Sequence, residues 1–80
     1  MQELYNNIVL IAQDYLGPAG QRFIDRQIAF HLQKNPQEIT KKDLPDLVEW
    51  VKITLASLTD DTNAVRKCSD RISDLASDVN

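Results

Sequence analysis

The sequence predicts an all-α protein, built as a small four-helix bundle with short connections and antiparallel neighbours. A chain of 80 residues and 9.1 kDa forms one domain at most, so we treat residues 1–80 as a single helical domain. Two Gly and three Pro are too few for the turns of a sandwich or barrel. Apolar residues recur at spacings of three and four, and a composition of 42% apolar and 26% charged residues is that of a globular protein.

The first helix is predicted over residues 3–16. Gly17 can adopt the left-handed conformation that ends a helix, and Pro18 commonly follows such an end or opens a new helix. The one-sided pattern predicts that this helix packs on a core. Its apolar positions are Leu4, Ile8, Ile11, Ala12 and Tyr15.

The second helix is predicted over residues 19–34, closed by Asn35 and Pro36. Its apolar arc is unusually wide, about 200° at the ~100° per residue of an α-helix, which predicts burial on two sides. Three residues that are not large and apolar lie in the middle of this arc: Gly20, Gln27 and His31. A glycine there permits close approach of a neighbouring helix.

The third helix is predicted over residues 43–58, after a polar loop from 35 to 42. Thr40 and Asp43 resemble a capping box, yet Pro45 opposes a regular helix from Thr40. We therefore expect a tight turn from Thr40 that becomes regular helix near Asp43. The apolar stripe of this helix is Leu44, Leu47, Val48, Val51, Leu55 and Leu58.

The fourth helix is predicted over residues 62–78, and Asp60, Asp61 and Thr62 are all capable of capping its start. Charged residues cover the opposite face, which we expect to face solvent. Its apolar stripe is Val65, Cys68, Ile72, Leu75 and Val79.

Composition and charge exclude several function classes. The longest apolar run, five residues from Ile8 to Ala12, is far short of the ~20 that a membrane span needs. A formal charge of -3 opposes binding to a phosphate backbone, so nucleic acid is not an expected partner. A single cysteine cannot form an internal disulfide, which favours a reducing, cytoplasmic location.

The sequence predicts no enzyme, no cofactor and no metal site. One Cys and one His are too few for a structural zinc site. Cys68 lies on the apolar stripe of the fourth helix, where burial raises a thiol pKa and makes the group inert. No glycine-rich phosphate loop is present, and the paired Asp60 and Asp61 are explained as helix caps.

Gln27 and His31 are expected to face inward as polar elements of the core. Unpartnered, each would cost about 1 to 3 kcal/mol, so we expect hydrogen bonds with the hydroxyl of Tyr5 or Tyr15. A small-ligand pocket in the bundle core beside these two residues, or a symmetric contact across a dimer, are the alternatives.

A histidine phosphotransfer relay through His31 is another alternative, because four-helix bundles also form the scaffold of those domains. They place Leu, Lys and Gly at the second, third and fourth positions after the histidine. Here Lys34 matches, whereas Gln33 and Asn35 depart from the pattern.

The residues expected to contact a partner lie on helices two and three. Trp50 and Ile53 fall outside the main stripe of the third helix, and an 80-residue monomer has little spare core to cover them. Phe23 and Phe30 lie on the over-wide arc of the second. Two basic residues one turn apart, Arg22 and Arg26, are expected to form a solvated rim or a docking patch for an acidic protein.

The stretch Tyr15-Leu16-Gly17-Pro18-Ala19-Gly20, followed by Arg22-Phe23-Ile24 and by residues 39–50, resembles small helical accessory segments of bacterial signalling proteins. The resemblance implies a regulatory or docking module and no catalytic residue. The expected function is thus non-enzymatic protein–protein interaction, self-association as a homodimer included.

Overall fold

All regular elements in the computed structural model, which describes residues 3–76, are helical, so the predicted all-α class is confirmed. The α-helices are α1 (Glu3–Leu16), α2 (Gly20–Gln27), α3 (Leu44–Leu58) and α4 (Thr62–Asp74). A π-helical turn, the π segment, spans Ile28–Leu32. Single 3-10 turns span Gly17–Ala19, Pro36–Glu38 and Lys41–Asp43.

The Leu-Gly-Pro stretch joins α1 to α2 as predicted. Gly17 has a φ of +61°, a conformation that glycine adopts at no steric cost, and Pro18 occupies the first turn of the short 3-10 helix. Gly20 then lies against the backbone of α1, where an added Cβ would be 2.7 Å from the Gln13 nitrogen. The chain therefore reverses tightly, and α1 and α2 pack at very close range.

The second predicted helix consists of three kinds of helix, because the 3-10 turn, α2 and the π segment follow one another without a break from residue 17 to residue 32. It ends at Leu32, two residues before the predicted end, because Gln33 adopts the left-handed conformation with a φ of 55°. The backbone N–H of Gln33 donates to the carbonyl of Ile28 and closes the π turn.

The start of α3 is confirmed. A 3-10 turn follows Thr40, and regular helix begins at Leu44, with Pro45 in the first turn, where no intrahelical hydrogen bond is lost. The Asp43 carboxylate accepts hydrogen bonds from the backbone N–H of Thr40 at 2.9 Å and from Lys34 Nζ at 2.7 Å. Lys34 thus ties the end of the second helical segment to the start of the third.

The fourth helix begins as predicted and ends earlier. Asp61 is the cap, since its carboxylate accepts a hydrogen bond from the Ala64 N–H at 3.1 Å. Regular α4 ends at Asp74, four residues before the predicted end. The predicted stripe residue Val79 lies outside the described residues.

One apolar core joins the long helices. α1 packs against both α2 and α4, so Tyr5 and Val9 are buried in addition to most of its predicted stripe, of which only Leu4 and Tyr15 remain partly exposed. α3 packs against α4 and the π segment. The radius of gyration is 11.4 Å, close to the ~12 Å expected for a folded chain of this length. The buried apolar residues are Tyr5, Ile8, Val9, Ile11, Ala12, Ile24, Ile28, Ile39, Leu44, Leu47, Val48, Val51, Leu55, Cys68 and Ile72.

Within residues 3–76, no helix combines the length and the apolar character needed to cross a membrane.

Candidate functional site

An open groove of about 390 Å³ lies between α2, the π segment and the C-terminal half of α3, and we call it the α2–α3 groove. It contains six of the eight residues singled out from the sequence, and two of these, Phe23 and Phe30, were expected to contact a partner. Its lining consists of Ala19, Arg22, Phe23, Arg26, Gln27, Phe30, His31, Thr54 and Leu58.

The walls of the α2–α3 groove are apolar and open to solvent. Phe30 exposes 70% of its surface and Leu58 exposes 63%, whereas Phe23 is half-buried and packs against the core. Isolated exposed apolar residues are common, but several that share one concave surface are typical of binding sites.

The floor of the groove is polar, and its two polar residues, Gln27 and Thr54, are hydrogen-bonded to each other. Gln27 is only 5% exposed, as the sequence predicted, and its Oε1 accepts a hydrogen bond from Thr54 Oγ1 at 3.2 Å. The expected tyrosine partners are wrong. Tyr5 donates instead to Asp25 Oδ1 and accepts from Gln21 Nε2 at 3.3 Å, and the Tyr15 hydroxyl accepts from Arg71 Nη1 at 3.4 Å. Neither tyrosine lines the groove.

One rim of the groove is basic. Arg22 and Arg26 are both exposed and lie one turn apart on α2. Neither guanidinium takes part in an ion pair with a carboxylate of residues 3–76, in contrast to Arg71, which pairs with Asp14 at 2.9 Å. Both arginines are therefore available to a partner.

The structure places His31 on the outside, contrary to the prediction that it faces inward. Its ring stacks on the indole of Trp50, with centroids 3.8 Å apart and an angle of 7° between the planes. The stack joins the π segment to α3 at one end of the groove.

The π segment is the physical reason for this difference. A π turn has more residues per revolution than an α turn, so each residue advances the chain by less than the ~100° of an α-helix. From Ile28 to Leu32 these smaller steps leave the side chains rotated about the helix axis by an angle on the order of 60° relative to a regular α-helix. Leu32 therefore packs against the core at the position expected for His31, and His31 and Phe30 turn outward.

The four predicted contact residues do not form one surface. Phe23 and Phe30 line the α2–α3 groove, and Trp50, 37% exposed, lies beside it in its stack with His31. Ile53, 55% exposed, lines a second groove of about 590 Å³ between α3 and α4, the α3–α4 groove. Lining that groove with it are apolar Ala56 and Val65 and the charged residues Glu49, Lys52, Asp60, Arg66 and Asp70.

Cys68 is a buried core residue, as predicted. Burial raises the pKa of the Cys68 thiol to about 11, so the nucleophilic thiolate is scarce at neutral pH. Within residues 3–76, no three His, Cys, Asp or Glu side chains come together in a way that could hold a metal ion.

Leu58 is the large apolar residue of the groove that the sequence did not reveal. It continues the apolar stripe of α3 and was therefore expected in the core, yet it is the last residue of the helix and the chain turns away at Thr59. A large apolar residue in the final turn of a helix, followed by a polar break, is the signal that could have identified it.

No family model matches this chain, no curated protein matches its sequence, and no solved structure matches its fold.

Proposed function

We propose that this chain is a non-enzymatic protein-interaction module, and that the α2–α3 groove is its docking surface. One observation carries the proposal: Phe30 and Leu58, each more than 60% exposed, share a concave surface with half-buried Phe23. Covering such side chains is favourable by about 25 cal/mol per Å² of apolar area. A regulatory role in the cytoplasm, like that of the bacterial signalling segments the sequence resembles, belongs to the same proposal.

The scaffold in this proposal is a four-helix bundle in which residues 17–32 act together as the second helix. Support comes from the shared core, to which α1, α2, the π segment, α3 and α4 all contribute buried residues. A groove built on helices has a preorganised backbone, which lowers the entropy lost on binding.

Self-association is the second part of the proposal, and it uses the α3–α4 groove. Ile53 supplies an exposed apolar centre, and acidic and basic residues surround it. In a symmetric dimer each patch meets its own copy, so a patch with both charges can pair Glu49 or Asp70 with Lys52 or Arg66 of the other molecule. The α2–α3 groove lacks this balance.

Capture of binding proteins from native extract tests the docking surface. We expect Leu58→Ser and Phe30→Ser to lose a protein that the wild type retains, because each removes an apolar wall of the groove. The matched control is Leu10→Ser: Leu10 is 59% exposed on α1, close to the 63% of Leu58, and lines neither groove. Retention by Leu58→Ser, or equal loss by Leu10→Ser, contradicts the proposal.

Sedimentation at micromolar concentration tests self-association. We expect a mass near twice 9.1 kDa for the wild type and a monomer for Ile53→Arg. Leu10→Arg, with the same added charge at another exposed apolar site, should remain dimeric. A monomeric wild type would contradict self-association and would not affect the proposal that the α2–α3 groove is a docking surface.

A phosphotransfer relay is the second candidate, favoured by the exposure of His31. The relay needs a ring nitrogen that can attack a phosphoryl donor. Trp50 covers one face of the imidazole, and the His31 side chain as a whole is exposed. Incubation with acetyl phosphate should produce acid-labile phosphohistidine and acetate in the wild type and none in His31→Gln. Absence of label in the wild type removes this candidate.

A further inference from the structure

We propose that the occupant of the α2–α3 groove is an acidic amphipathic helix of another protein. The inference rests on the proposed docking function and adds the secondary structure and the charge of the partner.

The helical form of the occupant follows from the backbone around the groove. α2, the π segment and α3 bond their own N–H and C=O groups internally, and residues 3–76 contain no strand edge with which an extended peptide could pair. A buried backbone group without a partner costs free energy comparable to a lost hydrogen bond. A helix satisfies its own backbone, so it can enter the groove without that cost.

The charge of the occupant follows from the rim. Arg22 and Arg26 lie beside the apolar walls, and none of the described residues that line the groove is acidic. The net charge of the chain is -3, so the positive charge of this rim is opposite in sign to that of the molecule as a whole. Its attraction acts within a Debye length of about 8 Å at physiological salt, which selects a partner whose acidic groups border its own apolar face.

The same charges disfavour a second copy of this chain as the occupant. A symmetric contact at this groove would bring Arg22 and Arg26 of one molecule towards the same residues of the other. Like charges at an interface oppose association, so self-association belongs on the mixed-charge α3–α4 groove.

The spacing of the groove residues defines the pattern of the partner. Arg22 and Arg26 are four residues apart, a rise of about 6 Å along a helix. Two carboxylates four residues apart on the partner have the same spacing. On the adjoining face of that helix, apolar residues spaced as i, i+3, i+4 and i+7 would cover Phe23, Phe30 and Leu58.

Binding of two designed peptides to the full chain tests the inference. Both are helices of on the order of 18 residues with leucines at the apolar positions, and they carry either Glu or Lys at the two flanking positions. Fluorescence polarisation at about 0.15 M salt measures the two dissociation constants. Because the Glu peptide can form two exposed charge pairs with Arg22 and Arg26 and the Lys peptide can form none, we expect the Glu peptide to bind about tenfold more tightly.

Charge reversal in the protein makes the test specific. The double variant Arg22→Glu and Arg26→Glu should prefer the Lys peptide. The double variant Lys42→Glu and Lys67→Glu, at exposed positions outside both grooves, should retain the preference for Glu. Phe30→Ala should weaken both peptides.

The remaining outcomes are distinguishable. Equal binding of both peptides overturns the acidic partner, and binding of neither overturns the helical occupant. In both cases a separate experiment decides the proposed function, namely whether Leu58→Ser loses a natural binding protein that Leu10→Ser retains.

Discussion

The close contact between α1 and α2 predicts that Gly20→Ala destabilises the protein. An added Cβ would lie 2.7 Å from the Gln13 nitrogen and 2.9 Å from the Ala12 carbonyl carbon. Those distances are about 1 Å shorter than the ~3.5–4.0 Å of a favourable contact. Backbone atoms inside a helix cannot rotate away as a side chain can, so the two helices must separate.

Two opposing effects set the magnitude. Overpacking of a well-filled core costs about 1–3 kcal/mol, and the backbone contacts here place the substitution towards the upper end. Alanine recovers up to ~1 kcal/mol because it is a better helix former and restricts the unfolded chain. We expect a net loss of about 1.5 kcal/mol, which lowers the Tm of a domain of this size by roughly 6–12 °C.

Thermal and urea unfolding followed by far-UV circular dichroism measure this loss. The control is Gly17→Asn, because no atom lies within 4 Å of a Cβ at Gly17 and asparagine tolerates its φ of +61°. The control should lose less than ~1 kcal/mol. A Gly20→Ala protein as stable as the wild type would refute the close approach of α1 and α2.

Three further changes test individual contacts. Asp61→Ala should lower the free energy of unfolding by about 1 kcal/mol in urea titrations, since it removes the cap of α4. The hydrogen bond from Lys34 holds the pKa of Asp43 below its usual range. The ionised carboxylate therefore stabilises the folded protein above the unfolded pKa of ~3.9, and this stabilisation disappears as the pH falls through the lower folded pKa. The difference in unfolding free energy between the wild type and Asp43→Asn, measured by urea titration at each pH, should shrink in acid. His31→Ala should increase quenching of Trp50 fluorescence by iodide, because it removes the ring stacked on the indole; unchanged quenching argues against the stack.

The helix boundaries were predictable where a residue has few conformational options. Gly17 and Pro18 ended the first helix at Leu16, and the conflict between Thr40 and Pro45 predicted a tight turn before regular helix. Both signals are local, because they depend on φ and on the missing N–H of proline. The close packing at Gly20 was predictable for the same reason, since only a residue without a Cβ fits there.

The candidate groove was predictable only in part, because a projection at constant angle assumes one kind of helix throughout. Gln27 precedes the π segment and is buried as expected, whereas His31 follows the change of angle and is exposed. The partner of Gln27, Thr54, comes from α3, and its distance from Gln27 depends on how the two helices cross. Periodicity within one helix contains no information on that crossing.

The π turn couples the packing of the core to the exposure of the groove. In a regular α-helix His31 would point inward, and an imidazole without a partner there costs about 1 to 3 kcal/mol. The π turn places Leu32 against the core instead, and Phe30 is left 70% exposed. Leaving a phenylalanine in water forgoes about 1.5–3 kcal/mol relative to burial, free energy that a partner covering the ring would recover. The conformation that satisfies the core of the free protein is therefore also the one that leaves an aromatic side chain exposed for the proposed partner helix to bury.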